Sequence, residues 1–503
     1  MINRILNAVT ALGFLVLAGG PLLRFSPDPW SDPLEKRNSA PAPAIPTTWG
    51  ELLNFTAAFE AFFNDHFGFR QKLIYFRNQM DFWVFNRSPA PLVLIGRHDW
   101  LFFTGAESLN DYMGKVTISE DNLETWYRAL KTRRDWLAAQ GIDYHFVVAP
   151  NKQTLYPEYM PRSVVRGHPT QKEQLIAYLA KHGEASLIED MTPALSAAKG
   201  GLPLYHPLDT HWNPYGGYFG YRALVESMMR NNPDEVRPLK LGADQFGEEQ
   251  TQLGDLASMM KFKRYPFRAT DTTYVGQPLN CGQPVDVSKI SVINPRARDD
   301  VLECGQVDAK ARAIIFNDSM IKDLQPYLKE SFSRLRITQM IPTFTDIKTY
   351  VRAEHPKVVV EERMERQMII PPERPSMATA TLTNALPPTE DKGGSVDVSE
   401  ADGDIIISGF SKWLPDQPGA EIKVNTNLPV EEMALEGGGS DDVAEAFHDK
   451  HLNRSRFTLR LYLGAGRPKP EAIRLCLWTE DPVYGPTRFF FDNNAAWDSC
   501  PAG

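Results

Sequence analysis

The run His206-Pro207-Leu208-Asp209-Thr210-His211-Trp212-Asn213-Pro214-Tyr215-Gly216-Gly217 sets a carboxylate and an imidazole two residues apart, just before a stretch of helical character. Far downstream, Ile314-Ile315-Phe316-Asn317-Asp318-Ser319 is an apolar run ending in Asp-Ser, the pattern of a strand and its exit loop. A serine hydroxyl is a weak nucleophile at neutral pH. It needs an imidazole to take its proton and a carboxylate to fix that imidazole's tautomer and stabilise its charge. These residue types therefore point to acyl transfer, with Ser319 as nucleophile, His211 as base and Asp209 as orienter. Neither half is specific alone: Asp-x-His is common, and Asp-Ser is equally a helix N-cap pair. Trp212 and Tyr215, beside His211, are candidates to stack on a sugar ring, or else they pack the helix start.

Elements that would position these residues follow from periodicity. Tyr144–Ala149, 187–190, 311–316, 335–341 and 357–361 read as strands; 121–140, 170–182, 214–230, 322–334 and 345–353 read as helices. Strands separated by helices of this length indicate a parallel sheet covered on both faces, with ligands beyond the strand C-terminal ends. Asn151, Asp209 and Ser319 all fall in loops of that kind. Ser319 is expected to open a helix of good length, with its own N–H at the helix start. Residues 240–310, rich in Gly, Asp and Pro, read as an excursion on the active-site side. His66, at the end of an aromatic-rich helical stretch from Trp49, reads as a capping or core histidine.

At 503 residues with a formal net charge of −9, the chain is too long for one ordinary core and lacks the basic balance of a general nucleic-acid binder. Its four cysteines, Cys281, Cys304, Cys476 and Cys500, make no CxxC pair, so neither a metal site nor a cofactor is expected. They fall as two sequence-local couples, although three pairings are possible, and two disulfides fit an exported protein. Residues 1–24 carry Arg4 and an apolar run to Leu23, expected as a signal peptide or a retained signal anchor in the inner membrane. Residues 25–48 read as a Pro-rich linker, 49–370 as the α/β domain, 371–402 as a second linker, and 403–503 as an all-β sandwich. Trp413, Trp478 and Trp497 are that module's candidate sugar contacts, or its core.

Several blocks together resemble the alginate O-acetyltransferase family of the AlgJ/AlgX type, which carries an SGNH-hydrolase-like domain. They are Phe59-Glu60 to Phe69-Arg70, Ile95-Gly96-Arg97-His98-Asp99-Trp100-Leu101-Phe102-Phe103, Val148-Ala149-Pro150-Asn151-Lys152 with Tyr156-Pro157, Asp209-Thr210-His211-Trp212, Asp318-Ser319, and Val358-Val359-Val360 to Glu365-Arg366. The resemblance covers roughly residues 50–370 and implies Ser319 as the acetyl-accepting nucleophile, with His211 and Asp209 as its partners. It departs from the esterase-like Gly-Asp-Ser-Phe at Asn317-Asp318-Ser319-Met320. Asn151 is the candidate for an SGNH-type oxyanion asparagine. The resemblance further implies acetylation of exopolysaccharide hydroxyls in the periplasm, with acetyl groups supplied by a membrane-bound O-acyltransferase. The C-terminal β region is similar in placement to an AlgX-type carbohydrate-binding module, and the N-terminal segment to an AlgJ-type anchor. Two other functions fit the same residues: a carbohydrate acetylesterase, and a non-catalytic polysaccharide-binding scaffold.

Overall fold

The computed structural model describes residues 9–14, 40–66, 70–85, 87–231, 235–250, 254–261, 269–281, 283–285, 293, 297–305, 311–372, 378–385, 392–401, 403–411, 420–449, 452, 455–466, 473–481 and 485–491. Most of the expected N-terminal anchor and first linker lie outside these residues. Among the described residues no helix is long and apolar enough to cross a membrane.

The helices that matter are α1 (Trp49–His66), α2 (Arg70–Trp83), α3 (Glu120–Ala139), α4 (Gln171–Lys181), α5 (Pro214–Asn231), the short α6 (Asp255–Met259) and α7 (Phe344–Glu354). Their starts are chemically specified. Ser119 caps α3 by accepting the Asn122 N–H, and Thr170 with Glu173 and Thr343 with Asp346 form reciprocal capping boxes on α4 and α7. On α3 the buried residues Trp126, Ala129, Leu130, Arg133 and Leu137 recur at three- and four-residue spacing, the signature of one inward stripe. His66 is buried, with Nδ1 against the Phe62 carbonyl at 2.8 Å, as expected of a structural histidine.

The strands of the first half are β1 (Val93–Ile95), β2 (Leu101–Phe103), β3 (Asp143–Ala149), β4 (Glu189–Asp190), β5 (Phe246–Gln250), β6 (Thr270–Tyr274), β7 (Gln283–Pro284), β8 (Arg298–Glu303), β9 (Arg312–Asn317), β10 (Arg334–Gln339) and β11 (Val358–Met364). Seven of them form one sheet in the order β4-β3-β11-β9-β10-β8-β7. The first five pair in parallel, while β8 and β7 add to the edge in antiparallel fashion. Both faces are covered. Val147, Ala149, Ile315, Val358 and Val360 pack toward Tyr221, Leu224, Val225 and Met228 of α5. On the other face Phe146 and Val148 meet α3 and α4, and Ile314, Phe316 and Val359 meet Ile347, Tyr350 and Val351 of α7. Two-sided burial explains why β9 and the first half of β11, Val358-Val359-Val360, read as continuous apolar runs rather than alternating ones. This is the expected SGNH-hydrolase-like α/β architecture.

Two expectations for the α/β region change. Residues 322–334 do not form one helix: Ser319–Asp323 is a 3-10 turn and only Gln325–Leu328 is α-helical. Pro326 accounts for the break, since it donates no N–H and so sits in the first turn of a new short helix instead of continuing the 3-10 turn. Residues 240–310 are not merely an excursion, because β8 and β7 extend the main sheet and the Cys281–Cys304 disulfide, with Cα atoms 5.0 Å apart, ties that edge together.

The last part of the chain is all-β: β12 (Thr379–Leu382), β13 (Lys392–Ala401), β14 (Asp404–Ser411), β15 (Glu421–Thr426), β16 (Val430–Gly438), β17 (Arg456–Leu463), β18 (Leu475–Asp481) and β19 (Gly485–Phe491). They form one ladder, β12-β15-β18-β19-β13-β14-β17-β16, whose two end strands come back into contact around a shared aliphatic core. Strands β12 and β13 thus form inside 371–402, where the prolines suggested a linker. Trp478 is 1 % exposed and belongs to the interior, so it offers no face to a sugar; Trp413 and Trp497 lie outside the described residues. Cys476 is buried on β18, and its expected partner Cys500 also lies outside them. Arg352 of α7 pairs with Glu432 of β16 at 2.6 Å, linking the α/β region to the β region.

Candidate active site

Strand β9 ends at Asn317, and the chain turns sharply so that Ser319 emerges exposed above the sheet. The turn is held from both sides. Asp318 Oδ1 accepts the Met320 N–H at 2.9 Å as an N-cap, and its Oδ2 accepts the Met364 N–H from the end of β11 at 2.8 Å. The Asp-Ser pair is therefore both a cap and the platform of a nucleophile.

His211 reaches this serine from the loop before α5. Its Nε2 lies 2.8 Å from Ser319 Oγ, and its Nδ1 lies 2.6 Å from Asp209 Oδ1. A carboxylate only accepts, so Nδ1 carries the proton toward Asp209 and Nε2 is left to accept from the serine. Burial works against the Asp209 charge. The His211 imidazole and the N–H groups of Asp255 and His211 outweigh it and hold the carboxyl well below the ordinary carboxylate range. The three expected residues are thus brought into one hydrogen-bonded line.

Residues outside the Asp-x-His and Asp-Ser motifs fix the turn. Asp255, at the start of α6, accepts from Thr210 N at 2.8 Å and Oγ1 at 2.5 Å, while its own N–H donates to Asp209 Oδ2 at 2.8 Å. Close approach requires Gly254, where a Cβ would lie 2.2 Å from the Leu208 carbonyl oxygen. Lys152 is buried, and its Nζ donates to the carbonyls of His206 and Pro207 at 3.0 Å each and of Asp209 at 2.6 Å. Burial pulls this ammonium down to about 7, yet its three acceptors use all three of its N–H donors. Asp271 of β6 binds His206 Nδ1 at 2.5 Å and Asn213 Nδ2 at 3.1 Å, and the Asn213 side chain caps α5 by accepting from Tyr215 and Gly216 N–H at 3.1 Å each. Asp209, His211 and Asp255 also offer ligand atoms within 4.8 Å of one another. Those atoms are already engaged by the imidazole, Thr210 and backbone N–H groups.

Trp212 is fully buried, and its Nε1 donates to the Met320 carbonyl at 2.8 Å. It ties the base's loop to the nucleophile's turn and has no ring face left for a sugar. Tyr215, 9 % exposed, packs on Phe219 and Phe246. Of the two readings for these rings, packing prevails. Asn151, just beyond the end of β3, is buried; its N–H donates to Glu365 at 2.9 Å and its Oδ1 accepts from Arg366 at 3.2 Å. Behind the nucleophile, burial and the neighbouring Asp318 charge push the Glu362 carboxyl well above its usual range. Asp255 and Asp271 were missed from the sequence because nothing in their local spacing marks them, and Lys152 and Arg366, which stand in blocks that carry the family resemblance, were given no role there.

Residues 93–277 match the family model described as the SGNH hydrolase-like domain of the acetyltransferase AlgX. Over 190 residues the chain is 28% identical to the probable alginate O-acetylase AlgJ of Pseudomonas fluorescens, covering 37% of this chain and 45% of that protein. The chain thus spans less than half the length of that relative. The resemblance drawn from the sequence blocks is borne out over this region; Asp209 and His211 lie in the matched segment and Ser319 beyond it. Among solved structures, the chain is similar to Bacillus cereus PatB1, at 15% identity and a TM-score of 0.40, covering 55% of this chain and 96% of that one. It is also similar to the O-acetyltransferase domain of Pseudomonas putida AlgJ, at 20% identity and a TM-score of 0.35, covering 56% and 93%.

Proposed function

We propose that this chain is an O-acetyltransferase that moves acetyl groups onto hydroxyls of an exopolysaccharide outside the cytosol, through an acetyl-Ser319 intermediate. The observation that carries the reading is the Asp209–His211–Ser319 line, with links of 2.6 and 2.8 Å and an exposed hydroxyl beyond the ends of parallel strands. The AlgX-type match over 93–277 supports acetyl as the group transferred. The Cys281–Cys304 disulfide fits an oxidising compartment such as the periplasm.

In the first half-reaction Ser319 Oγ attacks the donor's acetyl carbonyl while its proton passes to His211 Nε2. The donor's C–O bond breaks, and the leaving oxygen takes that proton. In the second, an acceptor hydroxyl gives its proton to His211 as its oxygen attacks the acetyl-serine, and Ser319 recovers a proton as it leaves. Asp209 stays ionised throughout and stabilises the imidazolium. Asn151 is the side-chain donor for the oxyanion. The membrane-bound O-acyltransferase that supplies acetyl groups and the inner-membrane attachment through the N-terminal segment belong to this proposal. The exposure of Ser319 favours a second reading, an acetylesterase in which water replaces the acceptor hydroxyl.

The test uses purified protein with p-nitrophenyl acetate, beside Ser319→Ala and His211→Ala. Wild type is expected to release nitrophenol and carry one acetyl increment on Ser319, with rates falling at least about a thousandfold in either variant. Acetylated oligosaccharide on adding acceptor supports transfer, and acetate alone supports hydrolysis. Equal behaviour of wild type and Ser319→Ala sinks the catalytic reading in favour of a binding scaffold.

A further inference from the structure

Among the side chains around the nucleophile, Arg366 has no role in proton transfer, yet it occupies a decisive place. Strand β11 runs between β3 and β9. Asn151 follows β3 and Ser319 follows β9, so the two stand two strand spacings apart, about 10 Å. Arg366 lies just past the end of β11, in the gap between them. Its guanidinium stacks over the Phe103 ring, 5.1 Å from the centroid, and its Nη1 donates to Asn151 Oδ1 at 3.2 Å.

An amide side chain has an acceptor end and a donor end, and a guanidinium has donors only. The Arg366 contact therefore decides which way round the Asn151 amide sits: oxygen on the arginine, and the NH2, which diverges from that oxygen across the planar amide, left free of it. The backbone of Asn151 is fixed independently, because Glu365 Oε2 accepts its N–H at 2.9 Å and the Thr154 hydroxyl at 2.6 Å. The Asn151 NH2 has no partner among the described residues, and it is not among the buried polar atoms left unpaired. It opens onto accessible space at the strand ends.

We propose that Arg366 is a positioning residue that locks the Asn151 amide with its NH2 group turned toward the reacting carbonyl. Without the guanidinium the amide is free to flip and present an oxygen to the developing oxyanion, which would repel it. Arg366 acts through Asn151 and needs no contact with substrate. The inference rests on the acyl-transfer reading above.

A double-mutant cycle on the full chain tests it, with single-turnover acylation of Ser319 by p-nitrophenyl acetate as the readout. Asn151→Ala is expected to slow acylation about a hundredfold, as for loss of one oxyanion donor. Arg366→Met is expected to slow it at least about tenfold in wild type but less than about twofold in Asn151→Ala, because its effect runs through the amide. The loss should fall on kcat with KM unchanged, and Arg366→Lys, which keeps a donor for Oδ1, should recover part of it. Additive losses, a loss confined to KM, or Lys and Met variants that behave alike would overturn the inference while leaving the acyl-enzyme intact. Absence of acetyl-Ser319 in wild type would instead remove the acyl-transfer reading itself, and this inference with it. Thermal melts separate unfolding from flipping. Should Arg366→Met not fold, Arg366→Lys in both backgrounds gives a shallower cycle, in which its partial loss must likewise vanish in Asn151→Ala.

Discussion

Replacing Gly217 with alanine tests whether catalysis depends on how closely α5 approaches the nucleophile's turn. A Cβ at Gly217 would lie 2.2 Å from the Asp323 carbonyl oxygen and 2.7 Å from its carbon. Carbon and oxygen ordinarily come no closer than about 3.3 Å, so α5 and the Ser319–Asp323 turn must part by about 1 Å. Both ends of the His211–Ser319 bond ride on these elements: the base sits just before α5 and the nucleophile opens the turn. A link of 2.8 Å would stretch toward 4 Å and cease to be a hydrogen bond. A misplacement of that size costs about a hundredfold in rate. Stability should change far less. Overpacking costs about 1–3 kcal/mol, and alanine in a helix returns up to about 1 kcal/mol relative to glycine. A net loss of about 2 kcal/mol leaves a domain of ordinary stability almost wholly folded, so the rate loss cannot come from unfolding. Gly220→Ala is the control, since its Cβ would meet the Trp212 ring at 3.3 Å and Leu324 at 3.7 Å, gaps that small side-chain adjustments absorb. The assay is the initial rate on p-nitrophenyl acetate together with the urea midpoint. A Gly217→Ala protein within twofold of wild type in both would refute the reasoning.

Two further outcomes are expected. His145 on β3 is buried between Asp143 (2.8 Å) and Glu189 (2.5 Å). Burial disfavours its charge, but the two carboxylates outweigh it and raise the group to about 9. Because the folded value lies above the unfolded one, about 6.5, the imidazolium stabilises the fold by about 3 kcal/mol below pH 6.5, and this is lost as pH rises through 9. The urea midpoints of wild type and His145→Gln should therefore differ at pH 6 and converge by pH 10; a gap that is constant with pH would contradict this. Trp212→Phe leaves the buried Met320 carbonyl without its indole donor, at a cost of about 1–3 kcal/mol, and loosens the nucleophile's turn. A variant as stable and as active as wild type would show that this bond is dispensable.

Ser319 was legible because it sits at a strand exit, which local periodicity sets, and Asp209 and His211 because they stand just before the helical stretch that opens at Pro214. Asp209, His211 and Ser319 could be named without knowing how the chain returns on itself. The partners that hold them could not. Asp255 and Asp271 come from the irregular segment 240–310, whose Gly- and Asp-rich sequence carries no period, and they act only because tertiary packing lays them against the Asp209–His211 loop. Lys152 stands in a block that carries the family resemblance, but only its burial against three carbonyls reveals its task. Trp212 and Tyr215 failed as sugar platforms for the complementary reason: an aromatic beside a catalytic histidine has the same local sequence whether it faces solvent or seals the core. Strands β12 and β13 were hidden by prolines on either side of short alternating runs, Thr379-Ala380-Thr381-Leu382 and Ser395-Val396-Asp397-Val398.

The place of β11 bears on how the candidate site comes into being. This strand is the last of the α/β sheet in the chain and yet lies between β3 and β9. Until it emerges, β3 and β9 each present a bare edge along which foreign strands could add. The Asp318 carboxylate then also lacks its Met364 N–H partner, so the serine turn has only half its support. A chain still being synthesised therefore holds the Ser319 turn half supported and its sheet open. Pairing of β11 with neighbours so distant in sequence is the slow kind of contact to form. One late insertion both closes the sheet against aggregation and completes the support of the Ser319 turn.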